Sequence, residues 1–364
     1  MPANEHWQPD WATHPGEHLA EYLEERAMSQ ADFARVAGMT PKLVSTIVNG
    51  ENPVTPDTAI KLERVLGLKA GIWLGIQKEW DLKQARQKEE TEDVADWIKR
   101  FPLQELRKLG RLPDTHEIRP LLDGLLDLLG IGSPSAYKAR VGALAVQHRR
   151  SAGGATSLEH EVCWLMLAEE KARLRRLPAF NRDEFQKSCQ EIRTLTVTGP
   201  EEFEPKMRGL CSRSGVALVF QKPISKTCLF GAARWIDGDH PLIQMSLRMR
   251  SNDHFWWTFF HEAAHIVLHK GKNFADDQNA SGDGIEAEAD AWAEETLVGH
   301  NRFRSFLAKR PRSRSEIVEF ADRVGVHPGI VVGMLQHHRV LPFSHLNELK
   351  AHFIWADERQ SAHK

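Results

Sequence analysis

The chain of 364 residues carries 48 Lys and Arg against 50 Asp and Glu, and 41% of it is hydrophobic. That length is too great for one ordinary domain and predicts two or three. The balance of charge excludes a global basic field, and no run of about 18 apolar residues exists to span a membrane. The N-terminus is polar, so no secretory leader is expected. Cys163, Cys189, Cys211 and Cys228 form no C-x-x-C and read as free thiols in a reducing compartment, giving a cytoplasmic protein without a membrane partner.

Residues 15–67 read as short helices with strong caps. Glu17 to Glu25 places Leu19, Ala20 and Leu23 on one side. Ser29 caps a helix running Gln30 to Ala37, with Asp32 completing an S-x-x-D pattern, and Gly38 makes the turn. Thr40 caps the next helix with Pro41 at its first position, and Asn49-Gly50 ends it. Thr55 and Pro56 start a fourth, which Gly67 stops. Two short helices around a glycine turn, followed by packing helices, predict a helix-turn-helix. In that arrangement Thr40, Lys42, Ser45 and Thr46 meet double-stranded DNA in the major groove, and Gln30 holds a phosphate. Residues 1–87 hold nine Lys and Arg against twelve Asp and Glu. Useful affinity for an operator therefore calls for a homodimer on paired half-sites.

Residues 78–93 are a charged helical connector, and residues 93–195 read as helical, Leu-rich near 121–129 and 158–175. Arg149 to Ala155 is expected to be an exposed loop. The basic stretch Lys171 to Arg176 reads as a solvated helix face in preference to a phosphate contact. Val216 to Phe220, Leu229 to Trp235 and Leu242 to Ser246 predict strands of a small sheet, whose edge can pair with an extended peptide.

Next comes His261-Glu262-Ala263-Ala264-His265, preceded by an apolar run and by Asp253 as the expected N-cap, with Gly271 placed to stop the helix. Two histidines four residues apart lie on one helical face, where both imidazoles reach one zinc ion and the intervening glutamate faces its water. Zinc acidifies that water, and Glu262 as general base takes its proton during attack on a carbonyl. A second helix from near Ile285 brings Glu286 as third ligand, with Asp290 on the same face orienting one imidazole. Glu288 points elsewhere and is the alternative ligand. His269 is read as a packed or orienting histidine near the ligands. Leu268 and Gly271 occupy the positions where a metzincin needs Gly and His, so the site is gluzincin-like. Arg248 is a candidate neighbour of the site. Beyond it, a helix at Ser315 to Val324 and another after His327-Pro328-Gly329 are read as a structural cap in preference to a second helix-turn-helix. His337-His338 faces two directions and is not read as a metal pair.

Two resemblances follow from these residues. His14 to Glu17, Ser29 to Ala34, Val48 to Gly50, Thr55 to Ala59 and Trp73-Leu74 make residues 14–82 resemble the antitoxin-type (HigA-like) branch of the lambda-repressor-like helix-turn-helix family. Ser246 to Arg248, Asp253 to His265 and Glu286 to Ala293 make residues from about 200 to 300 resemble the ImmA/IrrE metallopeptidase family. Together they imply an α+β, mostly helical chain. Its expected parts are a helix-turn-helix bundle at 1–87, a helical connecting domain at 88–200, a gluzincin-like metallopeptidase domain with a small β-sheet at 201–300, and a helical extension at 301–364. The implied function is a DNA-binding regulator with a zinc-peptidase module that cleaves a specific protein, a repressor or itself. The competing expectation is an antitoxin and autorepressor that neutralises a partner toxin, its metal site serving as sensor or structural element.

Overall fold

The computed structural model describes residues 12–89, 92–143, 157–269, 282–356 and 358. Contacts divide the chain into two compact units, residues 1–96 and 97–364. Among the described residues no helix is long and apolar enough to cross a membrane.

The first unit is built from α1 (Pro15–Glu25), α2 (Gln30–Ala37), α3 (Pro41–Val48), α4 (Pro56–Leu66) and α5 (Ala70–Glu89). Ser29, Thr40 and Thr55 each accept the backbone N–H three residues on, so α2, α3 and α4 start where the sequence predicts. Each such cap contributes about 1 kcal/mol. Asp32 meets the Ser29 hydroxyl at 2.7 Å. Gly38, at φ +61°, closes α2 in the left-handed region and turns the chain into α3. Leu19, Phe33, Val44, Ile47, Leu62 and Trp73 form the fully buried centre of this bundle.

α1 begins two residues earlier than its apolar pattern suggests, because His14 caps it. The His14 Nδ1 accepts the Gly16 N–H at 2.9 Å, with the ring edge-on to Trp80. Accepting requires an unprotonated Nδ1. Burial lowers the His14 pKa, against the opposing pull of Glu17 on α1 and Asp81 on α5. The folded ring thus binds its proton less readily than the unfolded one. Its contribution to stability is complete above about pH 6.5 and is lost as pH falls below that. Amide exchange at Gly16, corrected for intrinsic rates, is expected to accelerate on acidification from about pH 7 to 5. The acceleration should shrink in His14→Asn, whose amide oxygen caps without titrating. Equal acceleration in both proteins would refute this role.

In the second unit, α6 (Glu92–Lys99), which straddles the division, is followed by α7 (Leu103–Lys108), α8 (Ile118–Leu129), α9 (Tyr137–Ala143), α10 (Leu158–Arg173), α11 (Arg182–Thr194) and α12 (Pro200–Arg213). Strands β1 (Ala217–Phe220), β2 (Gly231–Ile236) and β3 (His240–Met245) come next. The chain then runs through α13 (Asn252–Leu268), α14 (Gly282–Val298), α15 (His300–Ala308), α16 (Arg314–Val324) and α17 (Pro328–His337). The sheet order is β1-β3-β2, with β1 parallel and β2 antiparallel to the central strand. Pairing of Gly231 with Met245 puts the first residue of β2 beside the last of β3.

The sheet is strapped to α10 by charge as well as by apolar contact. On β2, Arg234 reaches Glu169 at 2.7 Å and the Leu165 carbonyl at 2.7 Å, both on α10. Arg140 and Arg173 also meet Glu169, each at 3.1 Å. Ala168 and Ala172 of α10 pack against Ala217, Val219 and Leu242 of the sheet.

Several sequence expectations take a different form. The second helix of the metal pair starts at Gly282, three residues before the predicted Ile285, and α15 carried no strong sequence signal. The basic stretch is exposed at Lys171, Arg173 and Arg176, as expected of a solvated face, and is also tethered: Lys171 is bound to the Gln221 side chain, Arg173 to Asp237 and Glu169, and Arg175 to the Leu218 carbonyl. α17 is buried through Ile330, Val331, Val332, Met334 and Leu335 and packs on α13, which leaves it no face for a DNA groove. The predicted loop at 149–155 and Gly271 lie outside the described residues. All four cysteines are free and buried.

Candidate metal centre

The helix that carries the motif is buried on nearly every side. Phe255, Trp256, Phe259, Phe260, Ala263, Ala264, Ile266 and Val267 of α13 are all buried, at about 1.5–3 kcal/mol for each large side chain. Its N-cap is Ser251, one residue before Asn252, and not the expected Asp253. Asp253 lies inside the first turn, where its carboxylate meets Lys350 at 2.7 Å. Burial raises the Asp253 pKa, but the hydrogen bonds from Lys350 and Ser251 and the charges of His254 and Lys350 together outweigh it and hold the carboxyl below its ordinary range. A long-range cation thus displaced the local capping role.

The i,i+4 spacing does what the sequence predicts. His261 Nε2 and His265 Nε2 lie 3.2 Å apart, and across from them on α14 the Glu286 carboxylate reaches the two rings at 3.1 and 3.5 Å. One donor atom from each of His261, His265 and Glu286 falls within 4.8 Å of the others. Both rings are buried, while the Glu286 side chain keeps 33% of its exposure, so the group opens to solvent on one side.

The donor set suits a cation. Asp290 lies 2.8 Å from His261 Nδ1, and a carboxylate can only accept, so that nitrogen carries the proton and Nε2 turns its lone pair inward. An inward lone pair, a second imidazole nitrogen and a carboxylate crowded together favour a positive charge among them. Two nitrogens and one oxygen around one point, with a side open to water, are donors that could hold a metal ion.

Glu262 is 1% exposed. It is held against the start of β2, where an added Cβ on Gly231 would stand 2.6 Å from Thr258 Cγ2 and 3.0 Å from Glu262 Cγ. Only glycine lets strand and helix approach this closely. Sequence reasoning missed Gly231, whose only signal was a glycine inside the expected strand Leu229 to Trp235. Glu288, the alternative ligand, stands outside the donor group and meets His269 at 3.1 Å. Arg248 is turned to the Thr227 carbonyl at 2.5 Å and lies over the Phe230 ring. His337 packs near the Trp257 ring and His338 near Glu294, so the pair is split between two neighbours.

In the first unit Gln30, Thr40 and Lys42 are exposed, and Ser45 and Thr46 are half-buried. The Thr40 hydroxyl caps α3. The Thr46 hydroxyl donates to the Leu43 carbonyl at 3.0 Å and accepts from Asn52 at 2.7 Å, so a base edge must compete with contacts already made.

Comparison with known proteins separates the two units in the same way. Residues 19–73 match the helix-turn-helix family and residues 231–336 match the IrrE N-terminal-like domain family. The chain is similar to an uncharacterized HTH-type transcriptional regulator, YddM, of Escherichia coli (strain K12), at 37% identity over 81 residues, 22% of this chain and 83% of that one. It is similar to virulence-associated protein I of Dichelobacter nodosus at 35% identity over 95 residues, 26% of this chain and 86% of that one. Among solved structures, an addiction module antidote protein of the HigA family from Coxiella burnetii is 36% identical, covers 21% of this chain and 84% of its own, and superposes with a TM-score of 0.21.

Proposed function

From a chain that belongs to the helix-turn-helix family of transcriptional regulators and carries an IrrE N-terminal-like domain, we propose a DNA-binding regulator whose second unit is a zinc peptidase acting on one specific protein. That protein is a repressor or the regulator itself. The observation that carries the reading is the meeting of His261, His265 and Glu286 donors within 4.8 Å beside a buried Glu262. His261, His265 and Glu286 hold the ion in this reading, and Asp290 orients His261. A bound zinc ion supplies Lewis acidity, polarising a peptide carbonyl and acidifying water. Glu262 takes the proton from the attacking water as the oxygen–carbon bond forms, then delivers it to the amide nitrogen as the carbon–nitrogen bond breaks. β2 is an edge strand and begins against Glu262, so an extended peptide paired with it would pass the base.

At the other end, α3 with Lys42 and its neighbours enters the operator and Gln30 holds a phosphate, with two copies on paired half-sites making up for the acidic balance of the first unit. The cytoplasm is the compartment this reading requires.

The test is incubation of the purified protein with candidate repressors, and alone, with and without a chelator, followed by mass spectrometry of fragments. Discrete fragments that vanish with chelator are expected. Fragments indifferent to chelator would sink the metal mechanism, and no fragment from any candidate would sink the peptidase. A Gly231→Ala variant should keep zinc uptake, measured by metal analysis, and lose at least about tenfold in cleavage rate, since the methyl displaces Glu262. Unchanged cleavage would mean that the contact does not set the base.

A further inference from the structure

Resting on the metal reading above, we infer that His269 and Glu288 are positioning residues. They form a hydrogen-bonded relay that fixes which nitrogen His265 turns toward the ion. His265 Nδ1 lies 3.0 Å from His269 Nδ1, and His269 Nε2 lies 3.1 Å from Glu288 Oε2. The protons are placed by working inward from the outer end. Glu288, its side chain 67% exposed, offers only acceptors as a carboxylate. His269 therefore carries its proton on Nε2, and a neutral ring leaves Nδ1 as acceptor. His265 Nδ1 must then donate, and the lone pair of His265 falls on Nε2. That is the atom 3.2 Å from His261 Nε2 and 3.5 Å from Glu286. A reversed tautomer would aim an N–H at the ion and remove the ligand.

The two ligand histidines are thus oriented by different means. Asp290 acts on His261 directly, whereas Glu288 acts on His265 through a second imidazole. His269 is 4% exposed and sits at the C-terminal end of α13, one turn beyond His265, so the chain of contacts runs from a buried centre to water. Glu286 and Glu288, two residues apart on α14, divide the work: one belongs to the donor group and the other holds its support.

The relay is tested by zinc affinity in competition with a chromophoric chelator, and by the visible absorption of the cobalt-substituted protein. His269→Phe keeps ring volume without an acceptor and should weaken zinc binding about 10–100-fold and alter the cobalt spectrum. His269→Asn places an amide oxygen near the lost Nδ1 and should recover most of the affinity. Glu288→Lys, at a position whose side chain is 67% exposed, should weaken binding about tenfold and serves if His269→Phe does not fold. Melting curves of the metal-free variants should match the unsubstituted protein. Unweakened binding in His269→Phe or Glu288→Lys would overturn the relay, as would equal loss in the Asn and Phe variants. Absence of zinc uptake by the unsubstituted protein would instead overturn the metal reading itself.

Discussion

In a Glu262→Gln variant, zinc uptake is expected to equal that of the unsubstituted protein while cleavage falls by about 10²–10⁴-fold. The substitution is nearly isosteric, so the contacts of residue 262 with Gly231 and its fixed place between His261 and the sheet are kept. What is lost is a carboxylate able to take a proton from water and return it to a leaving amine. His261, His265 and Glu286 are untouched, which makes the variant a clean separation of binding from chemistry. Metal analysis of the purified variant beside single-turnover cleavage reads both. Loss of zinc in Glu262→Gln would move residue 262 into the ligand set. Retained cleavage would remove it from the reaction and favour a sensor or structural role for the metal.

The second large effect is expected at Arg234. Arg234→Ala should cost about 3–5 kcal/mol of unfolding free energy, because it leaves a buried carboxylate without its main partner. Burial raises the Glu169 pKa, yet its contacts with Arg234, Arg140 and Arg173 hold it below the ordinary carboxylate range. Arg234 also donates to the Leu165 carbonyl, which would lose its donor inside the core. Arg140 and Arg173 remain in place and should limit the loss to the lower part of that range. Chemical denaturation of the metal-free protein measures it. A loss below about 1 kcal/mol would mean that water enters and solvates Glu169. β2 carries Gly231 at one end and Arg234 three residues on, so the same variant should also reduce cleavage more than metal uptake.

What could be read from the chain beforehand was whatever depends on near neighbours. Ser29, Thr40 and Thr55 cap helices because a hydroxyl reaches an amide three residues away, and that is written in the sequence. The His261–His265 pair and the Glu286–Asp290 pair are one-turn spacings, equally local. Failures came where a distant group intervened. Asp253 has the chemistry of a cap, but Lys350, almost a hundred residues later, claimed it. Along the exposed basic face Lys171 to Arg176, local spacing could not show that Gln221, Asp237 and the Leu218 carbonyl come back to meet Lys171, Arg173 and Arg175. The spacing that pairs Glu286 with Asp290 puts Glu288 on another side of the helix, but that Glu288 would meet His269 depends on how the returning helix packs. His14 and His327 both cap helices through Nδ1, and the repeated His-Pro-Gly at their positions is a local signal that caps built from hydroxyls and carboxylates obscured.

The burial of every cysteine bears on what this protein can sense. Thiols react as thiolates, and exclusion from water pushes Cys163, Cys189 and Cys211 well above the usual thiol range. Cys228 is buried as well. Peroxide, electrophiles and mixed-disulfide exchange all need an accessible thiolate, and the folded chain presents none. A signal carried by these thiols would first have to open the fold, and iodoacetamide should leave the native protein unlabelled.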